Sequence, residues 1–292
     1  MNRLLTLGVI SIVGLTGCSN LANSTQNTLQ SSLKASTNPT EEATVPGVEV
    51  ATNAPFNYQD YGEVLQKYVS AQGLVNYEQL QANRQQLDRF NQSLGEVRPE
   101  TYAGWNETEQ IAFLVNAYNS FTLQSIIDQD PIKDSIRDIP GVWRRRKFDL
   151  AGEPITLNDI EHKILRREFN EPRIHVALVC AAISCPVLRN EPYLPEKLDA
   201  QLNDQTAKFA QSPHGFRLDK SGKTVYLSSI FKWFGQDYEP TYGIKTKFNG
   251  NSQQRAVLNH LSPVLDSQTQ EFLSQSDYKV RYLDYDWSLN KQ

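Results

Sequence analysis

The segment from Ile111 to Ile127 is apolar on nearly every side, with Phe113, Leu114, Val115, Phe121 and Leu123 spread around it. A helix with one apolar stripe can lie on a surface, whereas a helix apolar all round must be enclosed. The pattern predicts one buried helix around which the rest of the chain packs. Asn106, with Glu109 three residues later, supplies a capping-box start, and Pro131 lies just beyond the end. Asn116, Asn119 and Ser120 fall three or four positions apart and share a face. An unpaired buried amide costs about 1–3 kcal/mol. These residues therefore either tie neighbouring backbone in place or line a site.

The elements flanking that helix are mixed in type. Tyr61, Leu65, Tyr68 and Val69 recur at helical spacing before Gly73, and Leu80, Leu87, Phe90 and Leu94 mark a second amphipathic helix. A hairpin is predicted over 147–157, turning at Gly152, and a second joins 216–218 to 224–227. Thr156 and Asp159 offer a cap for a helix from Leu157 to about Glu168 that carries Glu161 and His162. A strand is expected over 174–180, a helix through Leu198, Leu202 and Phe209, another around Val257 to Leu265, and a last strand over 278–285. Helices and hairpins alternate without βαβ regularity. The expected class is α+β, a single domain with helices packed on an antiparallel or mixed sheet.

The amino terminus has a different character. Residues 1–17 combine Arg3, an apolar run from Leu4 to Leu15 and small residues before Cys18, the pattern of a secretory signal too short to span a membrane. Leu15-Thr16-Gly17-Cys18 resembles a bacterial lipobox. That resemblance implies cleavage before Cys18 and lipidation of its sulfur, a firmer anchor than a single acyl chain. Ser19 in place of Asp favours the outer membrane, facing the periplasm. Residues 18–55 are rich in Ser, Thr, Asn and Gln and read as a flexible tether, leaving 56–292 as the globular domain. The expected setting is the bacterial cell envelope, with the membrane as a partner through the lipid anchor and an unknown envelope ligand or substrate. The formal net charge of −4 gives no reason to expect nucleic acid.

Chemistry concentrates in Arg173-Ile-His-Val-Ala-Leu-Val-Cys-Ala-Ala-Ile-Ser-Cys-Pro186. Cys180 and Cys185 are the cysteines outside the leader, and His175 precedes them. Three readings compete. The pair forms a disulfide, which an exported protein permits. Alternatively Cys185 is a nucleophile with His175 as its base, and Asn116 or Asn119 orients the imidazole or helps hold an oxyanion. In the third, both cysteines are small core residues and His175 bonds a carbonyl. Cys-x₄-Cys without a second close pair is a weak zinc signature, so no metal and no cofactor are expected. The basic run Arg144 to Lys147 reads as a solvated strand edge, and the Tyr and Trp residues near the C terminus as core or rim packing.

With these residues laid out, the chain resembles the uncharacterised family known as domain of unknown function 547. The resemblance rests on Ala112 to Asn119, Ile136 to Ile139 with Trp143, Leu157 to His162 with Arg166, His175 to Cys180, Ser184 to Pro186, Tyr193, Trp233 and Tyr285 to Asn290. It implies shared polar positions at Asn116, Asn119, Glu161, His162, His175, Cys180 and Cys185. It implies no activity. The functional expectation is an envelope lipoprotein, either a cysteine-dependent hydrolase or acyl-transferase using Cys185 and His175, or a non-catalytic binding or scaffold protein with a Cys180–Cys185 disulfide.

Overall fold

The structure, a computed structural model, describes residues 55–292; the expected signal peptide, the lipidation site at Cys18 and the tether up to residue 54 lie outside the described residues. The helix Glu107–Ile127 runs through the centre, and sixteen of its side chains are buried. Its start is the anticipated capping box: Asn106 Oδ1 accepts from the Glu109 N–H at 3.1 Å, and Glu109 Oε2 accepts from the Asn106 N–H at 2.8 Å. Among the described residues no helix is long and apolar enough to cross a membrane. The apolar surface of this one is matched by protein.

On one side of it lie Gln59–Tyr68, Tyr77–Ala82 and Gln85–Glu96. The single helix expected through Leu80 to Leu94 is two helices, broken at Asn83 and Arg84, where Asn83 leaves helical geometry. Two short helices, Pro99–Ala103 and Ser267–Ser274, carry no apolar periodicity long enough to predict.

Strands β1 (Phe148–Leu150) and β2 (Glu153–Ile155) form the first hairpin. Its two-residue turn, Ala151-Gly152, has positive φ at both positions, the geometry that matches strand twist. Strands β3 (Phe216–Asp219), β4 (Thr224–Leu227) and β5 (Lys279–Tyr282) form a separate sheet, antiparallel between β3 and β4 and parallel between β4 and β5. The fold is α+β, with a mixed sheet and dominant helices.

The strand expected over 174–180 does not form. Pro172–Val176 is a 3₁₀ turn, and the chain continues without a ladder partner. Residues Ile174 to Val179 are all buried, so the alternation marks no solvent-facing side. Ala177 and Leu178 N–H bond the Ile174 carbonyl within the turn, and a side chain serves the backbone beyond it. Asn119 on the central helix donates to the Ala177 carbonyl at 3.0 Å and accepts from the Val179 N–H at 2.8 Å. The basic run also departs from expectation: Arg144 to Arg146 lie in a turn, where their N–H groups bond the Gly141 carbonyl, and Arg146 pairs with Asp128. Apolar side chains gather in two clusters, one around the central helix and one around Phe231, Tyr238, Val257 and Leu261.

Candidate functional site

A cleft of about 250 Å³ is lined by side chains from both clusters. Tyr118, Glu161, His162, His175, Cys180, Cys185, Trp233, Tyr285 and Trp287 reach it from points 169 positions apart in the chain. A larger cavity of about 940 Å³, between Phe56 and Glu196, is open and holds none of these groups. Chemistry therefore selects the smaller one.

Glu161 and His162 sit on Ile160–Leu165, one π-helical turn inside an otherwise α-helical stretch begun by the Thr156–Asp159 cap. Such wide turns often occur at functional sites. Burial pushes the Glu161 carboxyl up to about 7, opposed by the Tyr118 hydroxyl, which donates to Oε2 at 3.1 Å, and by the positive charge of Arg166. A carboxyl poised near neutrality is available to give or take a proton. His162 Nδ1 lies 3.1 Å from Arg166 Nη1; a guanidinium only donates, so Nδ1 accepts and the imidazole hydrogen sits on Nε2. Burial, then the Arg166 charge, lowers the His162 pKa.

His175 is 3 % exposed and stacks on Phe234 with ring centroids 4.2 Å apart. Its Nε2 lies 2.8 Å from Asp237 Oδ2, and Arg166 binds the same carboxylate through both oxygens at 2.6 and 3.0 Å. Burial holds the imidazole pKa down against the pull of Asp237. Burial also opposes ionisation of Asp237, but the His175 and Arg166 hydrogen bonds outweigh it and keep this carboxyl well below the usual range. The resulting arrangement is a neutral imidazole donating to a carboxylate whose charge Arg166 balances.

Cys180 and Cys185 are joined in a disulfide, with Cα atoms 6.2 Å apart. The loop between them is zipped to the C-terminal segment. Asn290 N–H bonds the Ala181 carbonyl, Ile183 N–H the Ser288 carbonyl and Ser184 N–H the Asp286 carbonyl, while Ser184 Oγ accepts from the Asp286 N–H at 2.8 Å. Ala181 takes a positive φ of 60°, and those bonds hold it there. The same segment delivers the Tyr285 hydroxyl to 3.2 Å from Cys180 Sγ and 3.3 Å from Cys185 Sγ. Trp233, 43 % exposed, packs on Tyr285 and Trp287 at the cleft, with centroids 4.9 and 6.0 Å away.

Of the residues singled out from sequence, Glu161, His162, His175, Cys180 and Cys185 are brought together. Asn116 and Asn119 are not. Both polar ends of Asn116 are occupied by the Tyr193 backbone, which its amide meets at 2.7 and 3.0 Å, and Asn119 is similarly engaged at 177–179. Neither is placed to orient His175, whose Nε2 is held by Asp237. Sequence reasoning missed Asp237, Tyr118 and the role of Arg166. Asp237 lies in Gly235-Gln-Asp-Tyr238, where no local pattern links it to a histidine 62 positions earlier. Among the described residues no group of three or more His, Cys, Asp or Glu side chains could hold a metal ion.

No curated protein and no solved structure matches the chain. Residues 102–210, which carry Glu161, His162, His175 and both cysteines but neither Asp237 nor Tyr285, match the model of a family described as protein of unknown function, DUF547.

Proposed function

We propose that the protein is a cell-envelope lipoprotein, held through Cys18, that binds a ring-bearing, hydroxyl-rich ligand such as a saccharide in this cleft. The observation that carries the reading is Trp233. Among the described residues it is the exposed large hydrophobic side chain, and it stands beside the half-buried carboxyl of Glu161 and an imidazole. An aromatic face packs against the apolar side of a sugar ring, while Glu161 and His162 offer partners for hydroxyl groups. The volume suits one ring. Titration with short glycan-strand oligosaccharides, followed by tryptophan fluorescence, tests this. A saturable response is expected that Trp233→Ala reduces at least tenfold; its absence across neutral and acidic sugars would reject the reading.

A second reading is a cysteine-dependent hydrolase or acyl-transferase. One observation favours it: Cys185 and the Asp237-backed His175 open on the same cleft. It requires a reduced pair, because a bonded sulfur is no nucleophile. Alkylation of the reduced protein at neutral pH should then outpace a free cysteine and slow on His175→Ala.

A further inference from the structure

The Tyr285 hydroxyl has an unusual pair of partners. Among the described residues its hydrogen bonds go to the two cysteine sulfurs and nowhere else. Burial raises the phenol pKa, so the group stays a protonated donor. The Cys180 backbone N–H is also aimed at sulfur, meeting Cys185 Sγ at 2.9 Å. A disulfide sulfur is a feeble acceptor, and a donor spent on it gains little. A thiolate is a strong acceptor, and two donors converging on one sulfur stabilise that charge. The site is therefore matched to a reduced form in which Cys185 is ionised.

We propose that Cys180–Cys185 is a redox-active disulfide that exchanges with a dithiol reductant, with Cys180 as the attacked sulfur and Cys185 as the leaving group. The two cysteines differ in the way this needs. Cys180 is half-buried, whereas Cys185 is 6 % exposed, accepts from the Cys180 N–H and shares the Tyr285 hydroxyl with Cys180. A thiolate of the reductant forms a bond to Cys180 Sγ, the Cys180–Cys185 bond breaks, and the electron pair leaves on Cys185 Sγ. The second thiol of the reductant then loses its proton and attacks the mixed disulfide. Cys180 departs as thiolate and takes up a proton. The reductant ends oxidised by two electrons, and the protein holds Cys180 as a thiol and Cys185 as a thiolate. Glu161, on the same cleft and poised near neutrality, is suited to carry that proton between the incoming thiol and Cys180. This chemistry does not depend on what else occupies the cleft, so it stands or falls separately from saccharide binding.

The test is made on the folded, full-length protein without denaturant. Dithiothreitol and a reduced thioredoxin-type protein serve as small and macromolecular dithiols, and whichever reacts faster identifies the source of the thiols. Reduction by at least one of them within minutes is expected, and ultraviolet titration of the reduced protein should reveal one thiolate below the ordinary cysteine pKa of about 8.5. Tyr285→Phe should slow reduction about tenfold and raise that pKa by about one unit. Cys185→Ser should trap a mixed disulfide with oxidised glutathione at least tenfold faster than Cys180→Ser does. The proposal is overturned if the native disulfide is reduced only after unfolding. It is equally overturned if both wild-type thiols titrate at or above the ordinary value, a reading that needs no variant.

Discussion

Asp237 Oδ2 accepts from His175 Nε2 at 2.8 Å while the same carboxylate is clasped by Arg166 through both oxygens. One acid thus fixes the orientation of the imidazole facing the cleft and balances the cation beside it. Its side chain is 21 % exposed, so water screens the group in part. Asp237→Asn leaves Arg166 without a counter-charge and should cost about 2–3 kcal/mol by urea unfolding. The sign with pH follows from the depressed Asp237 pKa: its contribution is present above the unfolded value and is lost as pH falls through the folded one. The gap between wild type and variant should therefore close in strong acid.

Glu161 behaves oppositely. Its pKa rises from 4.5 in an ordinary setting to about 7 in the fold, so its contribution is full below the lower value and disappears as pH climbs through the upper one. Buried His175, with its pKa lowered, instead loses stability as pH drops below its ordinary 6.5. Wild-type stability between those limits is the sum of opposing slopes. Glu161→Gln removes one of them. The variant's unfolding free energy from urea titration should gain on wild type between about pH 4.5 and pH 7, by on the order of 3 kcal/mol.

Asn119→Ala deletes a donor and an acceptor that serve buried backbone at Ala177 and Val179. The expected cost is about 2–4 kcal/mol in equilibrium unfolding. Amide exchange should rise locally at Val179 and Cys180. A value below about 0.5 kcal/mol would mean that water replaces the amide without penalty.

Replacing both cysteines with serine opens a ring of only a few residues. Chain entropy predicts a loss of about 2 kcal/mol by denaturant unfolding. The C-terminal zipper between 181–184 and 286–290 should keep the loop folded, so near-ultraviolet circular dichroism from the Trp233–Tyr285–Trp287 cluster should survive.

The buried central helix, its cap and both hairpins were legible because each follows from neighbours a few positions apart. Asn106 with Glu109, and Gly152 beside Ala151, act within one turn of chain. The stretch 174–180 was misleading for the same reason. Apolar alternation describes two differing faces, and here both are buried, with Asn119 doing the work of a strand partner. The split at Asn83 leaves no mark in that pattern, since helical spacing continues across it.

Residue type and proximity marked His175, Cys180 and Cys185 as the chemically able groups, the family resemblance added Glu161 and His162, and the sequence by itself determined an α+β chain built round one enclosed helix. Tertiary structure decided their partners. Asp237 reaches His175 across 62 positions, and Tyr285 reaches Cys180 and Cys185 across 105 and 100. Local pattern encodes periodicity and caps, because those forces act between near neighbours. Which acid faces which imidazole, and which phenol faces which sulfur, depends on how distant segments pack, and only the folded chain brings them within hydrogen-bond range.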